Sequence, residues 1–155
     1  MAIEIERKFL VANDGWRGGT EGTRFSQGYL TNDPDRTVRV RVAGEKAFLT
    51  IKGRSQGISR AEFEYEIPVA EAVELLGMCL PTVIDKTRYV VEFSGLAWEV
   101  DVFHGENDGL IVAEVELDDE NTVPDLPPWI GAEVSGDPRY FNSRLSRTPY
   151  RDWKS

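Results

Sequence analysis

Charged residues alternate with apolar residues along several segments of this chain, and this alternation constrains its fold more than any other feature. The first such segment, EIERKF, has Glu4, Glu6 and Lys8 at two-residue spacing. Because successive side chains of a strand point to opposite faces, these three share one face and the apolar residues between them share the other. Two carboxylates at this spacing lie roughly 7 Å apart, close enough to share a hard cation. The segment therefore predicts a strand over residues 3–11 with one charged face.

The same period predicts a largely antiparallel sheet. Further strands are expected at residues 25–31, 37–43, 46–52, 59–67, 83–93, 97–103 and 110–117, with a hairpin turn at Gly44 and Glu45. Helices are expected at residues 69–78 and 138–147, with irregular structure between residues 118 and 138. The Gly-rich segment 13–23 predicts a mobile surface connection. About eight strands can close into a barrel. We expect a single domain over residues 1–155, α+β and mainly β, built as a closed eight-stranded antiparallel barrel with a few short helices.

The composition restricts the classes of partner. The formal net charge of −9 argues against nucleic acid or an anionic membrane as a partner. The single Cys79 cannot form an internal disulfide, and the single His104 argues against a histidine-based metal site. No apolar run reaches the ~20 residues of a membrane-spanning helix. We therefore expect a cytoplasmic protein with neither a nucleic-acid nor a membrane partner.

The charged faces of the predicted strands allow two interpretations. Their charged residues are Glu4, Glu6, Lys8, Arg39, Arg41, Lys52, Glu62, Glu64, Glu66, Lys86, Arg88, Glu99, Asp101, Glu114 and Glu116. Acidic and basic strands could pair across a solvated face, or the sheet could close with this face inward and enclose a polar tunnel. A lumen of this kind needs a polar occupant. Since basic side chains bind phosphate oxygens and clustered carboxylates bind a hard divalent cation, the tunnel interpretation predicts a metal-polyphosphate ligand.

The motifs that carry these charges resemble, in their order, those of the CYTH or triphosphate tunnel metalloenzyme superfamily. EIERKF resembles the ExExK signature, and the resemblance continues through RVR (39–41), TIK (50–52), EFEYE (62–66), KTR (86–88), EVD (99–101) and EVE (114–116). ExExK alone is a weak pattern, whereas the ordered set is specific. The resemblance implies an eight-stranded antiparallel tunnel that binds a triphosphate with Mg²⁺ or Mn²⁺ and acts on a phosphoanhydride bond.

The resemblance also implies roles for individual residues. The phosphate-binding positions are Lys8, Arg39, Arg41, Lys52, Lys86 and Arg88, and the metal-side acids are Glu4, Glu6, Glu114 and Glu116, with Glu62 and Glu64 as further contributors. Lys8, Tyr29 and Glu116 are expected to be catalytic, although packing is an alternative role for Tyr29. Glu66 and Glu99 are alternatively structural partners of the arginines. Arg144 either reaches the tunnel mouth or is simply exposed.

The expected reaction is hydrolysis of a triphosphate, with inorganic tripolyphosphate as the first candidate substrate. The basic residues hold the triphosphate, one cation neutralises its oxygens, and a second positions the attacking water. A class IV adenylyl cyclase, a thiamine triphosphatase and a polyphosphate-binding module without catalysis remain alternatives. The apolar outer face of the sheet exceeds what two short helices cover, and this predicts a homodimer.

Overall fold

A computed structural model describes residues 3–19, 21–79 and 83–153 of the chain, with only the backbone of Asn32. These ranges contain nine strands: β1 (Ile3–Val11), β2 (Thr23–Asp33), β3 (Arg36–Ala43), β4 (Lys46–Gly53), β5 (Ser59–Ile67), β6 (Ile84–Phe93), β7 (Leu96–Phe103), β8 (Ile111–Glu116) and β9 (Ile130–Glu133). They also contain the helices α1 (Val69–Leu76) and α2 (Asn142–Leu145), and 3₁₀ turns at Gly105–Asn107, Pro138–Tyr140 and Tyr150–Asp152. No helix within them has the length and apolar composition needed to cross a membrane.

Strands β1 to β8 close into an antiparallel barrel, which confirms the predicted fold. Neighbours follow the order β5-β4-β3-β2-β6-β7-β8-β1, and β1 pairs again with β5. This closing ladder is short: Ile3, Glu4 and Ile5 lie opposite Ala61, Arg60 and Ser59. Beyond it, β1 pairs with β8 and with β9, which is not part of the closed ring. The prediction of irregular structure throughout residues 118–138 was therefore wrong, because the free edge of β1 provides pairing partners for a short segment there.

The alternation along the strands separates a charged interior from an apolar exterior. On β3, Arg39 and Arg41 point into the barrel, whereas Val40 is fully buried on the outer side. There it packs with Ala47 of β4 and Ala72 of α1. Helix α1 therefore covers the outer face of these strands, and it ends two residues earlier than the sequence predicts.

The Gly-rich segment lies on the surface, as predicted, since residues 13–15, 17–19 and 21–23 are exposed, but Trp16 within it is buried against the barrel exterior. Trp16 is only 3% exposed, and its ring centroid lies 5.1 Å from that of Tyr89. Trp16 belongs to the same buried cluster as Trp98 and Trp129. The Trp16 indole thus fixes this point of the segment to the barrel, because a side chain of this size contributes a large apolar surface to the core.

The C-terminal segment fills part of one barrel end. Ile84 and Phe103, which point into the barrel at this end, pack against Tyr140 and Leu145. The sequence predicts one helix over residues 138–147, but the structure has a 3₁₀ turn and the four-residue α2, separated by Phe141 in an extended conformation. This break lets side chains from both short elements reach the same apolar cluster.

Candidate functional site

The residues to which the sequence assigns a site role all line one cavity inside the barrel, of about 250 Å³. The cavity is lined by six basic side chains (Lys8, Arg39, Arg41, Lys52, Lys86, Arg88), seven acidic ones (Glu4, Glu6, Glu62, Glu64, Glu99, Glu114, Glu116), and Tyr29, Thr37, Asn142 and Ser143. All eight barrel strands contribute to it. The charged face therefore points inward, and the solvated-face interpretation does not hold. Glu66 is exposed and does not line this barrel cavity.

Asp101 holds two of the basic side chains in place. Its fully buried carboxylate accepts hydrogen bonds from Lys86 Nζ at 2.7 Å and from Arg88 at 2.7 and 2.9 Å. Burial, together with the charges of Arg88 and Arg41, lowers the pKa of Lys86 to about 7 in spite of the opposing effect of Asp101. The sequence motif EVD contains Asp101, but sequence reasoning gave it no site role. It acts by positioning cations for a ligand.

Two amide side chains that sequence reasoning missed connect cations of different strands. Arg41 Nε donates a hydrogen bond to Gln27 Oε1 at 2.7 Å, and Gln27 Nε2 donates to Asn142 Oδ1 at 3.1 Å. The same oxygen of Asn142 accepts from Lys86 Nζ at 3.0 Å. Gln27 could have been found from the sequence, since it lies two residues before Tyr29 on the same strand face. Asn142 gave no such signal, because it reaches the cavity from the C-terminal segment.

The ring of Phe25 lies against three cations. Its centroid is 4.6 Å from Cζ of Arg41, 5.0 Å from Cζ of Arg88 and 6.0 Å from Nζ of Lys86. An aromatic face attracts cations and so offsets part of their mutual repulsion. The repulsion is still considerable: burial, with the charges of Arg39 and Arg88, lowers the pKa of Arg41 to about 9. The cluster would gain stability from an anion.

Arg39 has a buried donor that suits a ligand. Its terminal nitrogen donates a hydrogen bond to Thr50 Oγ1 at 3.2 Å and lies 3.7 Å from a carboxylate oxygen of Glu64. Its Nε is buried and has no hydrogen-bond partner in the described part of the chain. Tyr29 lies opposite Arg39 in the β2–β3 ladder. Since buried polar groups are nearly always paired, the Arg39 guanidinium is suited to an acceptor such as a phosphate oxygen.

On the neighbouring strand β4, Lys52 joins two carboxylates. Its ammonium donates to both oxygens of Glu4, at 3.0 and 2.9 Å, and lies 3.3 Å from Glu62. Burial and the hydrogen bond with Glu4 raise the pKa of Glu62 to about 7. A single ammonium group therefore faces two carboxyl groups and can neutralise the charge of only one of them.

A second carboxylate pair surrounds Lys8. The Lys8 ammonium donates to the carbonyl of Tyr140 at 3.0 Å and lies 3.5 Å from Glu114. Glu114 is hydrogen-bonded to Glu6, and burial together with the charges of Glu114 and Glu4 raises the pKa of Glu6 well above its usual value. Burial alone would lower the pKa of Lys8, but Glu114 and Glu6 outweigh it and raise that pKa. Glu116 lies opposite Glu6 in the β1–β8 ladder.

The carboxylate pairs have the right chemistry for a hard divalent cation. Within residues 3–19, 21–79 and 83–153, no three carboxylate, histidine or cysteine side chains converge as the ligands of a metal ion would. However, the raised pKa values of Glu6 and Glu62 indicate that each pair carries two negative charges poorly. A divalent cation bound between such a pair and a phosphate oxygen would relieve this repulsion. The residues present thus fit a cation that arrives together with a polyanion.

Comparisons with known proteins agree with this geometry. The CYTH domain model matches residues 2–143. An inorganic triphosphatase of Acetivibrio thermocellus is 54% identical over 155 residues, 99% of each chain, and one of Nitrosomonas europaea is 38% identical over 147 residues, 92% of this chain and 96% of the relative. The crystal structure of the inorganic triphosphatase NE1496 matches with a TM-score of 0.67 at 36% identity, covering 94% of this chain and 95% of that one. On the match of the family model and the identity to these relatives, this chain belongs to the CYTH domain family.

Proposed function

We propose that this protein hydrolyses a phosphoanhydride bond of inorganic tripolyphosphate inside the barrel cavity, with Mg²⁺ or Mn²⁺ as cofactor. The observation that carries the proposal is the convergence of six basic and seven acidic side chains in one cavity of about 250 Å³. Basic groups suit the phosphate oxygens, and carboxylates suit a divalent cation that binds with them. The inorganic triphosphatase relatives support tripolyphosphate as the substrate.

The basic residues bind and orient the triphosphate. We assign this role to Lys8, Arg39, Arg41, Lys52, Lys86 and Arg88, all of which line the cavity. Arg39 donates its unpaired Nε–H to a phosphate oxygen, and Asp101 keeps Lys86 and Arg88 aimed at the same ligand. Because these cations are already in place, they stabilise the charge that builds on phosphate oxygens during bond cleavage at little cost in reorganisation.

The acidic residues hold the cofactor. Glu4, Glu6, Glu114 and Glu116 are the proposed ligands, with Glu62 and Glu64 contributing. A bound divalent cation would neutralise phosphate oxygens and activate the attacking water.

Three residues complete the proposed catalytic set. Lys8 keeps its proton beside Glu114 and holds the phosphate that is attacked. Tyr29, opposite Arg39, orients the same phosphate through its hydroxyl. Glu116 orients the water through its carboxylate.

The positions of the tryptophans support an inorganic substrate over an organic triphosphate. A thiamine or adenine group would need an aromatic surface beside the phosphates. Trp16 and Trp129 are buried on the outer side of the barrel, and Trp153 packs against Tyr140 and Tyr150. In the described part of the chain, Tyr29 is the one aromatic residue that lines the cavity.

The test is phosphate release from tripolyphosphate with Mg²⁺, with Mn²⁺ and with excess chelator, beside ATP and thiamine triphosphate. We expect cation-dependent release with a preference for tripolyphosphate. Glu6→Gln should lower kcat/KM by on the order of 100-fold, because even residues behind metal ligands cost 10- to 100-fold. The matched control, Glu74→Gln on the exposed face of α1, should retain full activity. Tight binding without turnover would instead identify a polyphosphate-binding module. Formation of cyclic AMP from ATP would identify an adenylyl cyclase.

We also propose a cytoplasmic homodimer with no nucleic-acid partner. The net charge of −9 and the single cysteine support the location and the absence of such a partner. Ile51, Phe63 and Tyr65 remain exposed on the outer faces of β4 and β5, which supports an apolar contact between two copies. Sedimentation at micromolar concentration tests this proposal: Phe63→Glu with Tyr65→Glu should give a monomer, and a monomeric wild type would contradict it.

A further inference from the structure

A second cavity adjoins the barrel cavity at the barrel end where β3 begins and β4 ends. It has a volume of about 640 Å³, and four arginines line it: Arg54, Arg60, Arg144 and Arg147. We call it the arginine cavity. Thr37 and Ser143 line both cavities, so the two are in direct contact.

The arginine cavity has no acidic lining. Besides the arginines, its walls are formed by Pro34, Thr37, Ser55, Pro138, Phe141, Ser143 and Thr148. Because the chain has 27 acidic and only 18 basic residues, its composition does not predict a cavity lined by four arginines and no carboxylate. They come from two parts of the sequence, the connection from β4 into the start of β5 and α2 with the turn after it. The fold therefore concentrates positive charge at this barrel end.

Most of this charge has no internal counterion. Arg54 pairs with Asp35. Among the residues that the structure describes, Arg60 donates only to neutral acceptors, the carbonyl of Gly53 at 3.2 Å and the hydroxyl of Thr37 at 3.3 Å. The exposed guanidinium groups of Arg144 and Arg147 form no hydrogen bond or ion pair with any side chain or backbone group that the structure describes. Three of the four cations are thus available to an anion that enters from solvent.

We propose that the arginine cavity is a second oxyanion site, which binds a phosphate group beside the barrel cavity. Guanidinium groups bind phosphate through paired hydrogen bonds, and the hydroxyls of Ser55 and Thr148 can add further donors. Arg60 links the two cavities through Thr37, which lies two residues before Arg39 on the same strand face.

Two sources of phosphate fit this position. One is the outer end of a linear polyphosphate whose remaining phosphates lie in the barrel cavity, and the other is orthophosphate that leaves after cleavage. The choice between these two sources of phosphate rests on the proposed function, whereas the existence of the site does not.

The first test measures binding without turnover. The variant Arg144→Ala/Arg147→Ala is compared with Arg24→Ala/Arg151→Ala, which removes the same charge from exposed arginines that pair with Asp85 and Glu106 and line neither cavity. Calorimetric titration with orthophosphate and with pyrophosphate, in excess chelator, should show a phosphate site that weakens about tenfold or more in the first variant only. Equal binding by the two variants would overturn the proposal.

The second test identifies the source. A rise in KM for tetrapolyphosphate that exceeds the rise for tripolyphosphate supports the polyphosphate end. Weaker inhibition by orthophosphate at unchanged KM supports the departing product, and no difference from the control variant in either measurement contradicts both. If the wild-type protein releases no phosphate from tripolyphosphate, the proposed function fails, but the calorimetric result still decides whether the site exists.

Discussion

The side-chain oxygen of Asn142 lies 3.0 Å from the ammonium of Lys86, so the C-terminal segment reaches the cations inside the barrel. The same oxygen accepts a hydrogen bond from Gln27, which in turn accepts one from Arg41. A cation of β3 and a cation of β6 are thereby connected through two amide side chains. The C-terminal segment therefore contributes to the geometry of the site as well as filling part of one barrel end.

Asn142→Ala should weaken substrate binding clearly and lower thermal stability only slightly. Without the amide oxygen, Lys86 and Gln27 lose a shared acceptor, and the cations they position can move. We expect kcat/KM for tripolyphosphate to fall about tenfold, mainly through a higher KM. Steady-state kinetics and thermal melting measure the two effects, with Asn121→Ala in an exposed turn as the control. An unchanged KM for Asn142→Ala would mean that the contact does not position the cations.

Lys86 should make substrate affinity depend on pH. Its pKa is lowered to about 7 because it is buried and lies near Arg88 and Arg41. Above this pH the ammonium loses its proton, and its attraction for phosphate disappears. The KM for tripolyphosphate should therefore rise between pH 7 and pH 9.

Two variants separate this effect from the protonation of the substrate itself, which affects the wild type and both variants equally. Lys86→Arg stays charged throughout this range and should flatten the profile. Lys86→Gln should have a high KM at every pH, and the KM of the wild type should rise to a similar value near pH 9. Parallel profiles for all three proteins would show that another group is responsible.

The barrel and most of its lining were predictable because a strand encodes its two faces at every second residue. Arg39 and Arg41 line the cavity while Val40 between them packs outside, as their alternation predicts. Closure itself depends on only three residues of β1 opposite three of β5, and this ladder has no sequence signature of its own. The resemblance of the ordered motifs to a known family supplied that step.

The rest of the site depends on tertiary packing that no local pattern records. Asn142 lies in a helix of four residues, too short to show a period, and it reaches the cavity only because Tyr140 and Leu145 pack into the barrel end. Strand β9 is equally short and depends on the exposed edge of β1. Elements of this length derive their conformation from what they contact.

Phe25→Leu should weaken phosphate binding while the fold is retained. The ring lies within 6.0 Å of Arg41, Arg88 and Lys86, and its loss removes an attraction that keeps these cations together. We expect KM for tripolyphosphate to rise about threefold to tenfold, in line with the strength of cation–π contacts. Phe63→Leu, on the outer face of β5, serves as the control. A normal KM for Phe25→Leu would mean that Asp101 and Gln27 position the cations without help from the ring.

Trp16→Ala should destabilise the protein although Trp16 lies in a Gly-rich segment far from the cavity. Its side chain is 3% exposed and packs against Tyr89 in the outer cluster, so the variant leaves a cavity there. We expect the free energy of unfolding to fall by about 3–5 kcal/mol, as for other large-to-small core substitutions. Urea denaturation measures the loss, and activity per folded molecule at low temperature should stay near the wild-type value. Arg17→Ala, which removes a side chain 4.2 Å above the same indole but largely exposed to solvent, should cost less than about 1 kcal/mol. If Trp16→Ala were no less stable than Arg17→Ala, the segment would be held by its backbone rather than by the indole.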